Sequence, residues 1–597
     1  MKLAKGMVAA VAATMIAGVA ASALAAPTTG ERLRNAANET QNWLMTLGTY
    51  DGHHYSKLSQ INKNNVAGLR VVFMASIGGN GMSTVAGSRG NEQSAPLVED
   101  GFMYLSDSHN KLMKFDVRSG IRAYPLWRFD PQLERARNTG GLALYGDTVI
   151  AAIRDARIIA LSKESGEVVW EVSGVEPEGG RNAPEYLATR TFRGAISTMQ
   201  TAGGQDVIIV GAGGAGVGWV GAFDANNGEN IWRTYTIPGP GEPNFGTWPD
   251  DKYMYGAAMP WGPSTFDPEL NIVYMGTGEP SPVYDPEFRP GDNLYSESTL
   301  ALDADTGEMY WFFQETPNDG WDFDSTGVRM LFDFVDASGN THKAATNWSR
   351  NGFTYTVDRQ TGEFLQAVAQ VDNINWTKGI DPKSGKPVEY TPGMVHTNYN
   401  VPGPQRGRSE EDAPLMCATW GGAPTGIWPP SYDAQRGQSY NTRTSGCTYQ
   451  TILRITEEAF DPLRREGLGG STRQVQVNTM ANVIAIDMQS GKVANTYTRD
   501  LGIPGTRQAE VGALATGGGV VFSGFDDGTF AAFDSDTLAL LWEFNTGTSM
   551  KGAPISYAIG GKQYVAVIAG GDSPNGANGG GVGQLILPTA VLLVFAL

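Results

Sequence analysis

Residues 298–311, STLALDADTGEMYW, contain an apolar run, an Asp-x-x-x-Gly turn that begins at Asp303, and a Trp eight residues after that Asp. The runs on either side of the turn predict two antiparallel strands that the turn joins. The same arrangement, or a close variant of it, occurs eight times along the chain. The eight turns begin at Asp116, Ser162, Asp224, Asp303, Asp358, Asp433, Asp487 and Asp534.

The repeat predicts a closed ring. Successive turns are 46 to 79 residues apart, and this spacing centres near the length of a four-stranded propeller blade. A blade cannot bury both of its faces alone, so about eight blades must close on one another. We therefore predict an all-β fold, an eight-bladed β-propeller with tryptophan-docking-like blade repeats. In four copies a Trp at the fixed offset can dock against the neighbouring blade: Trp170, Trp232, Trp311 and Trp542.

The start of the chain predicts an export signal. Lys2 and Lys5 precede an apolar stretch at residues 7–20, and the Ala-Leu-Ala at residues 23–25 has the small residues of a cleavage site. We therefore expect a signal peptide at residues 1–25. The rest of the protein is expected to be soluble and periplasmic.

Residues 26–597 are expected to form one propeller domain, because no linker rich in Pro or Ser follows the leader. No segment after the leader has the roughly 18–20 consecutive apolar residues that cross a bilayer, so we expect no membrane span. The apolar tail at residues 585–597 is interrupted by Pro588. We predict that it forms a strand that closes the ring.

Composition argues against several classes of partner and site. The net charge is −18 and the Lys and Arg residues are dispersed, so nucleic acid is not an expected partner. Five His residues without an HxxxH motif, and two Cys residues without a CxxC motif, argue against a His-rich or thiolate metal site. The absence of CxxCH argues against an attached c-type haem.

Residues 211–216, GAGGAG, match the GxGxxG pattern of dinucleotide-binding folds. The segment runs into VGWVGAFD, which reads as another strand, whereas a dinucleotide fold requires a helix at this point. We therefore predict that the glycines permit tight backbone packing near a central ligand, and that they do not bind a nicotinamide cofactor.

An acid-rich region carries the strongest candidate chemistry: GTGEP at 276–280, RPGDN at 289–293 and TPNDGWDFD at 316–324. Asp322 and Asp324 flank one Phe, so on a strand they would share a face. Two carboxylates on one face repel each other unless a cation or an Arg lies between them. A hard cation with oxygen ligands satisfies that requirement, and a solvated acidic turn is the alternative that the spacing leaves open.

These segments resemble the quinoprotein alcohol dehydrogenases that use pyrroloquinoline quinone (PQQ). The resemblance also includes YSKLSQINKNNVAGL near residue 55, APLVEDGFMY from Ala95, WGPSTFDPELNIVYMGTGEP from Trp261, SRNGFTYTVDRQTG from Ser349 and GALATGGGVVFSGFDDGTFAAFD from Gly512. It implies an eight-bladed propeller that oxidises an alcohol with PQQ and either Ca²⁺ or a lanthanide ion. It also implies a small or polymeric alcohol substrate and a separate, soluble cytochrome c as electron acceptor.

The resemblance assigns seven residues to the site. It implies that Asp322 is the catalytic base and that the metal ligands are Glu279, Asp322 and Asp324. It implies that the cofactor-contacting residues are Glu92, Trp261, Arg350 and Trp428. Taken singly, Trp261 could belong to the core, Arg350 could pair with an exposed acid and Glu279 could cap a turn. The resemblance also implies a disulfide between Cys417 and Cys447.

The sequence departs from this family in three ways. Many relatives carry adjacent cysteines whose disulfide lies over the quinone, but the corresponding stretch at 135–146 reads RARNTGGLALYG. The usual metal-binding Glu of the GAE motif is Gly216, and Glu279 stands where the family usually has a metal-binding Asn. Asp324 matches the additional Asp of lanthanide-using relatives, two residues after the catalytic Asp. A trivalent ion is therefore an alternative to Ca²⁺.

Three functional hypotheses follow. The leading one is a periplasmic PQQ-dependent alcohol dehydrogenase. A second is a non-catalytic propeller scaffold of the kind that serves outer-membrane assembly, although such scaffolds lack the GTGEP, WDFD and RNG motifs. A third is a quinoprotein homologue that has lost its cofactor, which the missing cysteines and Gly216 keep open.

Overall fold

Eight separate, mainly antiparallel sheets of four or five strands make up the fold. They are seen in a computed structural model, and they confirm the predicted all-β propeller and its eight blades. The residues described are 27–78, 92–133, 141–177, 181–182, 190–214, 216–395, 398–403, 413–418, 422, 428–452, 472–502, 509–570 and 590–597. The predicted signal peptide lies outside these residues.

Blades 1 to 4 follow one another along the chain. Blade 1 consists of Leu97–Glu99, Phe102–Ser106, Leu112–Asp116 and Tyr124–Phe129. Blade 2 consists of Leu142–Tyr145, Thr148–Ala152, Arg157–Ser162 and Val168–Ser173. Blade 3 consists of Thr191–Phe192, Ser197–Gln200, Asp206–Gly213, Trp219–Asp224 and Asn230–Tyr235. Blade 4 consists of Thr265–Asp267, Ile272–Gly276, Ser298–Asp303 and Met309–Gln314.

Blades 5 and 6 continue this order, whereas blades 7 and 8 also contain strands from the start of the chain. Blade 5 consists of Met330–Val335, Thr341–Trp348, Phe353–Asp358 and Phe364–Ala369. Blade 6 consists of Leu415–Met416, Ser431–Asp433, Gln438–Ile452, Thr472–Asp487 and Lys492–Arg499. Blade 7 consists of Tyr55–Ser56, Leu514–Thr516, Val520–Gly524, Thr529–Asp534 and Leu540–Asn545. Blade 8 consists of Arg70–Ser76, Ile555–Ile559, Lys562–Ala569 and Val591–Ala596.

Helical structure is short throughout the described part of the chain. The α-helix Gly30–Arg34 begins after Thr29, whose side chain accepts a hydrogen bond from the backbone N–H of Arg32. The remaining helical segments are 3₁₀ turns, at Ala36–Asn38, Val66–Gly68, Phe245–Thr247, Tyr253–Tyr255 and Pro286–Phe288.

Burial follows the position of a strand within its blade. Strand Ile272–Gly276 of blade 4 is buried along its whole length, because neighbouring blades cover both of its faces. Strand Val168–Ser173, at the outer edge of blade 2, alternates between exposed and partly exposed residues. The continuous apolar runs of the sequence therefore form inner strands, and the alternating runs form the rim.

The ring closes by pairing the two ends of the described chain. Strand Arg70–Ser76 pairs antiparallel with Val591–Ala596, so that an early strand becomes the outer strand of the last blade. Val591–Ala596 also pairs with Lys562–Ala569. The prediction that the apolar tail forms a ring-closing strand is confirmed.

The eight Asp turns do not correspond to eight blades one by one, and on this point the sequence interpretation was wrong. Seven turns join the last two strands of blades 1 to 7. The turn at Asp433 joins two earlier strands of blade 6, Ser431–Asp433 and Gln438–Ile452. Blade 8 has no such turn among its described residues, because its outer strand comes from the start of the chain.

The Trp residues dock between blades as predicted. The indole N–H of Trp232 in blade 3 donates to the carbonyl oxygen of Ala304 at 3.0 Å, in the turn of blade 4. Gly307 in that turn has a φ of 73°, and a Cβ there would lie 2.4 Å from the Trp232 ring. Trp542 of blade 7 instead packs edge-on against Phe595 of blade 8, with the ring centres 5.3 Å apart.

Candidate functional site

All seven predicted site residues lie at one end of the blades. Five of them precede a strand that starts at this end, and two follow the next strand, which returns to it: Glu92, Trp261, Asp322, Asp324 and Trp428, then Glu279 and Arg350. In an antiparallel sheet the start of one strand and the end of the next lie at the same end. We call this the site end. The opposite end, where the Asp turns lie, is the turn end.

Three carboxylates converge at the site end. Glu279, Asp322 and Asp324 each offer an oxygen atom, and these atoms lie within 4.8 Å of one another. Asp324 is buried and the other two are partly exposed. Oxygen atoms grouped in this way suit a hard cation. The structure thus brings together the three residues that the resemblance implies as metal ligands.

The loop that carries Asp322 and Asp324 differs from the predicted strand. Residues 320–329 form no strand, and the two Asp residues have φ values of 66° and 42°. Such values are uncommon for a residue with a Cβ. Asp319 holds the loop, because its carboxylate accepts the backbone N–H groups of Trp321, Asp322 and Phe323 at 3.0, 3.0 and 3.1 Å. A tight loop, and not strand alternation, directs the carboxylates to one point.

Arg350 connects the carboxylates to Trp261. Its Nη1 donates to Oδ2 of Asp324 and lies 3.6 Å from Oδ1 of Asp322. Its guanidinium carbon lies 5.4 Å from the centre of the Trp261 ring. The indole N–H of Trp261 in turn donates to Oδ1 of Asp324 at 3.0 Å. Asp324 is therefore held by two buried donors that come from different blades.

Burial and neighbouring charges shift the pKa values of Glu279 and Asp324 in opposite directions. Burial raises the pKa of Glu279 well above its usual value, and the charges of Asp324 and Asp322 raise it further. Burial also acts to raise the pKa of Asp324, but the Arg350 charge and hydrogen bonds from Glu279 and Trp261 outweigh it and lower that pKa. Burial and the neighbouring carboxylates therefore favour the protonated form of Glu279, whereas Arg350 favours the ionised form of Asp324.

Two tryptophans form an apolar floor beside these charges. Trp261 and Trp428 belong to one buried cluster with Ala195 and Met259, although the two tryptophans are far apart in the chain. Their exposed fractions are 7% and 3%. A planar ligand can stack against such a surface while its polar edge meets the carboxylates and Arg350.

Gly211 and Gly213, from the glycine-rich segment, pack behind this floor. Strand Asp206–Gly213 pairs with strand Trp219–Asp224, and no helix follows it, so this segment is not a dinucleotide-binding motif. At Gly211 a Cβ would lie 1.9 Å from the carbonyl oxygen of Pro260, next to Trp261. The prediction that these glycines permit tight backbone packing is confirmed.

Trp428 is fixed by a buried ionic cluster that the sequence analysis missed. Its indole N–H donates to the carbonyl oxygen of Lys551 at 2.8 Å. The Lys551 ammonium donates to Asp526 at 2.7 Å and to Glu510 at 3.1 Å. Burial raises the pKa of Asp526 to about 6, although the Lys551 charge opposes this shift. No motif signals the cluster, because its members come from three separate segments.

Glu92 lies apart from the Arg350 cluster, with which it forms no hydrogen bond or ion pair in the described part of the chain. It is 1% exposed, and its two carboxylate oxygens are buried without a well-formed hydrogen bond. Burial raises its pKa to about 8, and the charge of Asp107 adds to the shift while Ser108 offsets part of it. A buried carboxylate with so few donors is suited to meet a ligand.

Two further residues at the site escaped the sequence analysis. The hydroxyl of Tyr284 donates to Oδ2 of Asp322 at 3.2 Å. Glu297 is fully buried, and its pKa is raised well above the usual value by burial and by nearby carboxylates, Asp319 first among them. Both lie between the GTGEP and WDFD motifs, so their position in the sequence was the available signal.

The structure joins Cys417 and Cys447 in a disulfide, as the resemblance implies. The two residues are 30 positions apart. Met416, beside Cys417, pairs with Thr448, beside Cys447, in blade 6. The bond therefore ties a two-residue strand to the long strand Gln438–Ile452.

A propeller with carboxylates, an Arg and two tryptophans at one end defines a class of cofactor-dependent enzymes, and sequence comparison identifies the class. A family model described as the glucose/ethanol/alcohol dehydrogenase β-propeller domain, with the short name PQQ, matches residues 43–373 and 470–565. The chain belongs to this quinoprotein alcohol dehydrogenase family.

Individual relatives agree with this assignment. The chain is 31% identical to the quinoprotein alcohol dehydrogenase PedH of Pseudomonas putida, over 92% of this chain and 90% of the relative. It is 30% identical to a quinoprotein ethanol dehydrogenase of Pseudomonas putida, over 96% of this chain and 92% of the relative.

Solved structures show the same architecture. The quinohemoprotein alcohol dehydrogenase ADHIIG of Pseudomonas putida HK5 superimposes with a TM-score of 0.80 at 28% identity, covering 96% of this chain and 82% of the other. A europium-containing methanol dehydrogenase gives a TM-score of 0.80 at 25% identity, covering 95% and 100%. Within the described residues, the helices are all too short or too polar to cross a membrane.

Proposed function

We propose that this protein oxidises an alcohol to an aldehyde or ketone with PQQ and a metal ion bound at the site end. The observation that carries the proposal is the convergence of Glu279, Asp322 and Asp324 beside Arg350 and Trp261. Membership of the quinoprotein alcohol dehydrogenase family supports it, as do the names of the relatives.

The donor set fits a divalent or trivalent hard cation. Glu279, Asp322 and Asp324 would hold it through carboxylate oxygens, the ligands that Ca²⁺ prefers and that also suit a lanthanide ion. Glu279 compensates for the missing carboxylate at Gly216, since the two positions are close. Gly216 accepts a hydrogen bond from the backbone N–H of Ala257, and Ala258 donates to the carbonyl oxygen of Glu279 at 3.0 Å.

The remaining residues fit a planar anionic quinone. Trp261 and Trp428 offer an aromatic floor, and Arg350 offers a positive charge. Glu92 offers a buried carboxylate whose oxygen atoms have few donors of their own. When bound, PQQ would supply the carbonyl group that accepts electrons from the alcohol.

Asp322 is proposed as the catalytic base. One of its carboxylate oxygens would accept the hydroxyl proton of the alcohol, while the Tyr284 hydroxyl on Oδ2 and the Arg350 charge keep the side chain oriented. Its left-handed backbone and the hydrogen bonds from the loop to the Asp319 carboxylate fix the Asp322 carboxylate in place before the substrate binds. Asp324 would stay ionised through its contact with Arg350.

The proposal extends to location and electron transfer. The family resemblance and the export signal at residues 1–25 support a periplasmic enzyme with one propeller domain at 26–597. Because the sequence contains no CxxCH motif, the electrons would pass to a separate protein, for which a soluble cytochrome c is the proposed acceptor.

Reconstitution tests the proposal. The apo-protein would be incubated with PQQ and either Ca²⁺ or La³⁺, and a dye-linked assay would then screen primary, secondary and polymeric alcohols. Alcohol-dependent dye reduction that requires both PQQ and metal is the expected result. PQQ binding without turnover would contradict the enzymatic role, and the absence of PQQ binding would favour a homologue that has lost its cofactor.

A further inference from the structure

Two arginines at the site end have no carboxylate partner, and neither is among the seven residues that the family resemblance assigns. Arg154 lies between the second and third strands of blade 2, and Arg193 precedes strand Ser197–Gln200 of blade 3. Within the described residues, neither guanidinium forms a salt bridge or donates a hydrogen bond. Nη1 of Arg154 and Nε of Arg193 are buried and lack an acceptor.

Arg190 and Arg350, by contrast, each lie beside a carboxylate. Arg190, three residues before Arg193, has its Nε 3.1 Å from Oε1 of Glu176, and both side chains are fully buried. Arg350 is paired with Asp324. A buried guanidinium without an acceptor costs folding free energy, so its retention points to a ligand that is absent from the free protein.

Arg193 lies at the aromatic floor. The guanidinium carbon of Arg193 is 5.5 Å from the centre of the Trp261 ring, close to the corresponding 5.4 Å distance for Arg350. At Gly194 a Cβ would lie 2.8 Å from the carbonyl carbon of Trp261, so the backbone beside Arg193 is packed against this tryptophan. Trp261 therefore has a paired arginine and an unpaired arginine close to its ring.

Arg154 lies at the site end of blade 2, the blade that precedes the one carrying Arg193. Burial, together with the positive charge of Arg193, lowers the pKa of Arg154 to about 9. The backbone N–H of Arg154 donates to Oδ1 of Asn110 at 3.2 Å, which anchors the turn that carries it. Two like charges held together in a partly dehydrated region form a receptor for an anion.

We propose that Arg154 and Arg193 form a carboxylate-binding subsite for PQQ at the site end of blades 2 and 3. This inference rests on the proposed function. It gives the tri-anionic cofactor two cationic contacts that this chain supplies from blades 2 and 3. Guanidinium groups bind carboxylates with two parallel hydrogen bonds, a geometry that an ammonium group cannot reproduce.

Equilibrium binding to the apo-protein tests the subsite without any measurement of turnover. PQQ and its trimethyl ester, which lacks the three carboxylate charges, are titrated in the presence of Ca²⁺ by quenching of tryptophan fluorescence and by equilibrium dialysis. The variants are Arg154→Gln and Arg193→Gln. Arg157→Gln is the matched control, because Arg157 lies on the same hairpin but is already paired with Asp155 and Glu171.

Each of the two variants is expected to bind PQQ about 10- to 100-fold more weakly, while its affinity for the trimethyl ester changes less than about threefold. The Arg157→Gln control is expected to match the wild type with both ligands. Melting of the apo-protein gives a second readout. Arg154→Gln should melt at the same or a higher temperature, because the substitution removes an unpaired buried charge.

Equal weakening toward PQQ and its ester, or no weakening toward PQQ, would overturn the subsite. If the wild type binds neither ligand, the subsite and the proposed function fail together, whereas loss of the subsite alone leaves wild-type PQQ binding intact. If Arg193→Gln does not fold, Arg193→Lys replaces it in the experiment. It keeps the charge but not the planar fork, so we expect PQQ affinity between those of the wild type and Arg193→Gln, and wild-type affinity would also overturn the subsite.

Discussion

The two ends of the same blades use carboxylates in opposite ways. At the turn end, Asp303 accepts the backbone N–H groups of Asp305 and Thr306 at 3.0 and 2.8 Å, and the Tyr310 hydroxyl at 2.6 Å. Burial acts to raise the pKa of Asp303, but these hydrogen bonds outweigh it and lower that pKa. At the site end, burial raises the pKa of Glu279.

The difference lies in where the donors come from. The turn carboxylate Asp303 finds its donors two to seven residues away, so the chain satisfies it locally. The site carboxylate Asp324 instead depends on donors that are distant in the chain, Trp261 and Arg350, which are 63 and 26 residues away. The carboxylates of the turn end therefore stabilise the fold. The buried carboxylates of the site end are instead available to bind a ligand.

The largest expected effect is a loss of turnover when a carboxylate of the site end is replaced, but not when one of the turn end is. Asp322→Asn removes the proposed base and should lower turnover of the reconstituted enzyme by about 10³-fold, with the melting temperature close to that of the wild type. Asp303→Asn at the turn end should keep its activity. Dye-linked turnover and thermal melting of both variants check this contrast. Full activity of Asp322→Asn would remove Asp322 from the mechanism.

Glu92 gives the next largest effect, on stability. Because its folded pKa is about 8 and its usual value is 4.5, the folded protein holds this proton more tightly than the unfolded chain. The free energy of unfolding of the apo-protein should therefore fall as pH rises from about 4.5 to 8, by about 4 kcal/mol at pH 7.5.

Denaturant unfolding at several pH values tests this. Glu92→Gln should abolish that part of the fall. Asp303→Asn should leave the slope between pH 5 and 8 unchanged, because the pKa of Asp303 is lowered and its contribution is lost only under more acidic conditions. Identical slopes for Glu92→Gln and the wild type would show that the buried carboxylate is not the cause.

The disulfide of blade 6 is expected to contribute to the stability of the protein. The bond between Cys417 and Cys447 closes a loop of 30 residues and should contribute about 3 kcal/mol in the chain-entropy description. Titration of the denatured, unreduced protein should find no free thiol. A double Cys→Ser variant should unfold at correspondingly lower denaturant, and two free thiols in the wild type would refute the bond.

A smaller effect is expected on metal affinity, and it should differ between the two ions. Asp324→Asn removes one negative charge while keeping an acceptor for Trp261, so it should weaken La³⁺ about 10-fold more than Ca²⁺, because a higher ion charge gains more from each ligand charge. Metal titration by calorimetry measures both affinities. Asp333→Asn, an exposed acid of blade 5, is the control. Equal losses for the two ions would remove the lanthanide preference.

The smallest effect is expected at the turn end. Asp303→Ala deletes acceptors for several local hydrogen bonds and should lower the free energy of unfolding by about 1 kcal/mol without changing metal affinity. Glu164→Ala, an exposed turn residue of blade 2, should leave stability unchanged. Denaturant unfolding compares the two. A change in metal affinity on Asp303→Ala would break the separation between the ends.

The sequence predicted the ring because its signals are local. An apolar strand, an Asp turn and a Trp recur within about 14 residues, as at 298–311, and each needs no distant partner to be recognised. The count of turns was nevertheless misleading. Asp433 and Asp487 belong to the same blade, and the strand Arg70–Ser76 carries no turn signal for blade 8.

The site was predictable only in part. Asp322, Asp324 and Glu279 stand in motifs, so the family resemblance found them. The cluster of Lys551, Glu510 and Asp526 could not be found in this way, because each residue is an ordinary charged residue of its own segment. The left-handed backbone of Asp322 also has no sequence signal, since it results from the carboxylate of Asp319.

The pairing of Arg70–Ser76 with Val591–Ala596 has a consequence for the order of folding. These strands are more than 500 residues apart, so during synthesis the earlier one waits as an exposed edge until almost the whole chain has been made. Seven blades can assemble before that moment, but the last interfaces form only when the edge is covered. Folding should therefore end in one late, slow step, and chains that stop before residue 591 should expose an aggregation-prone strand.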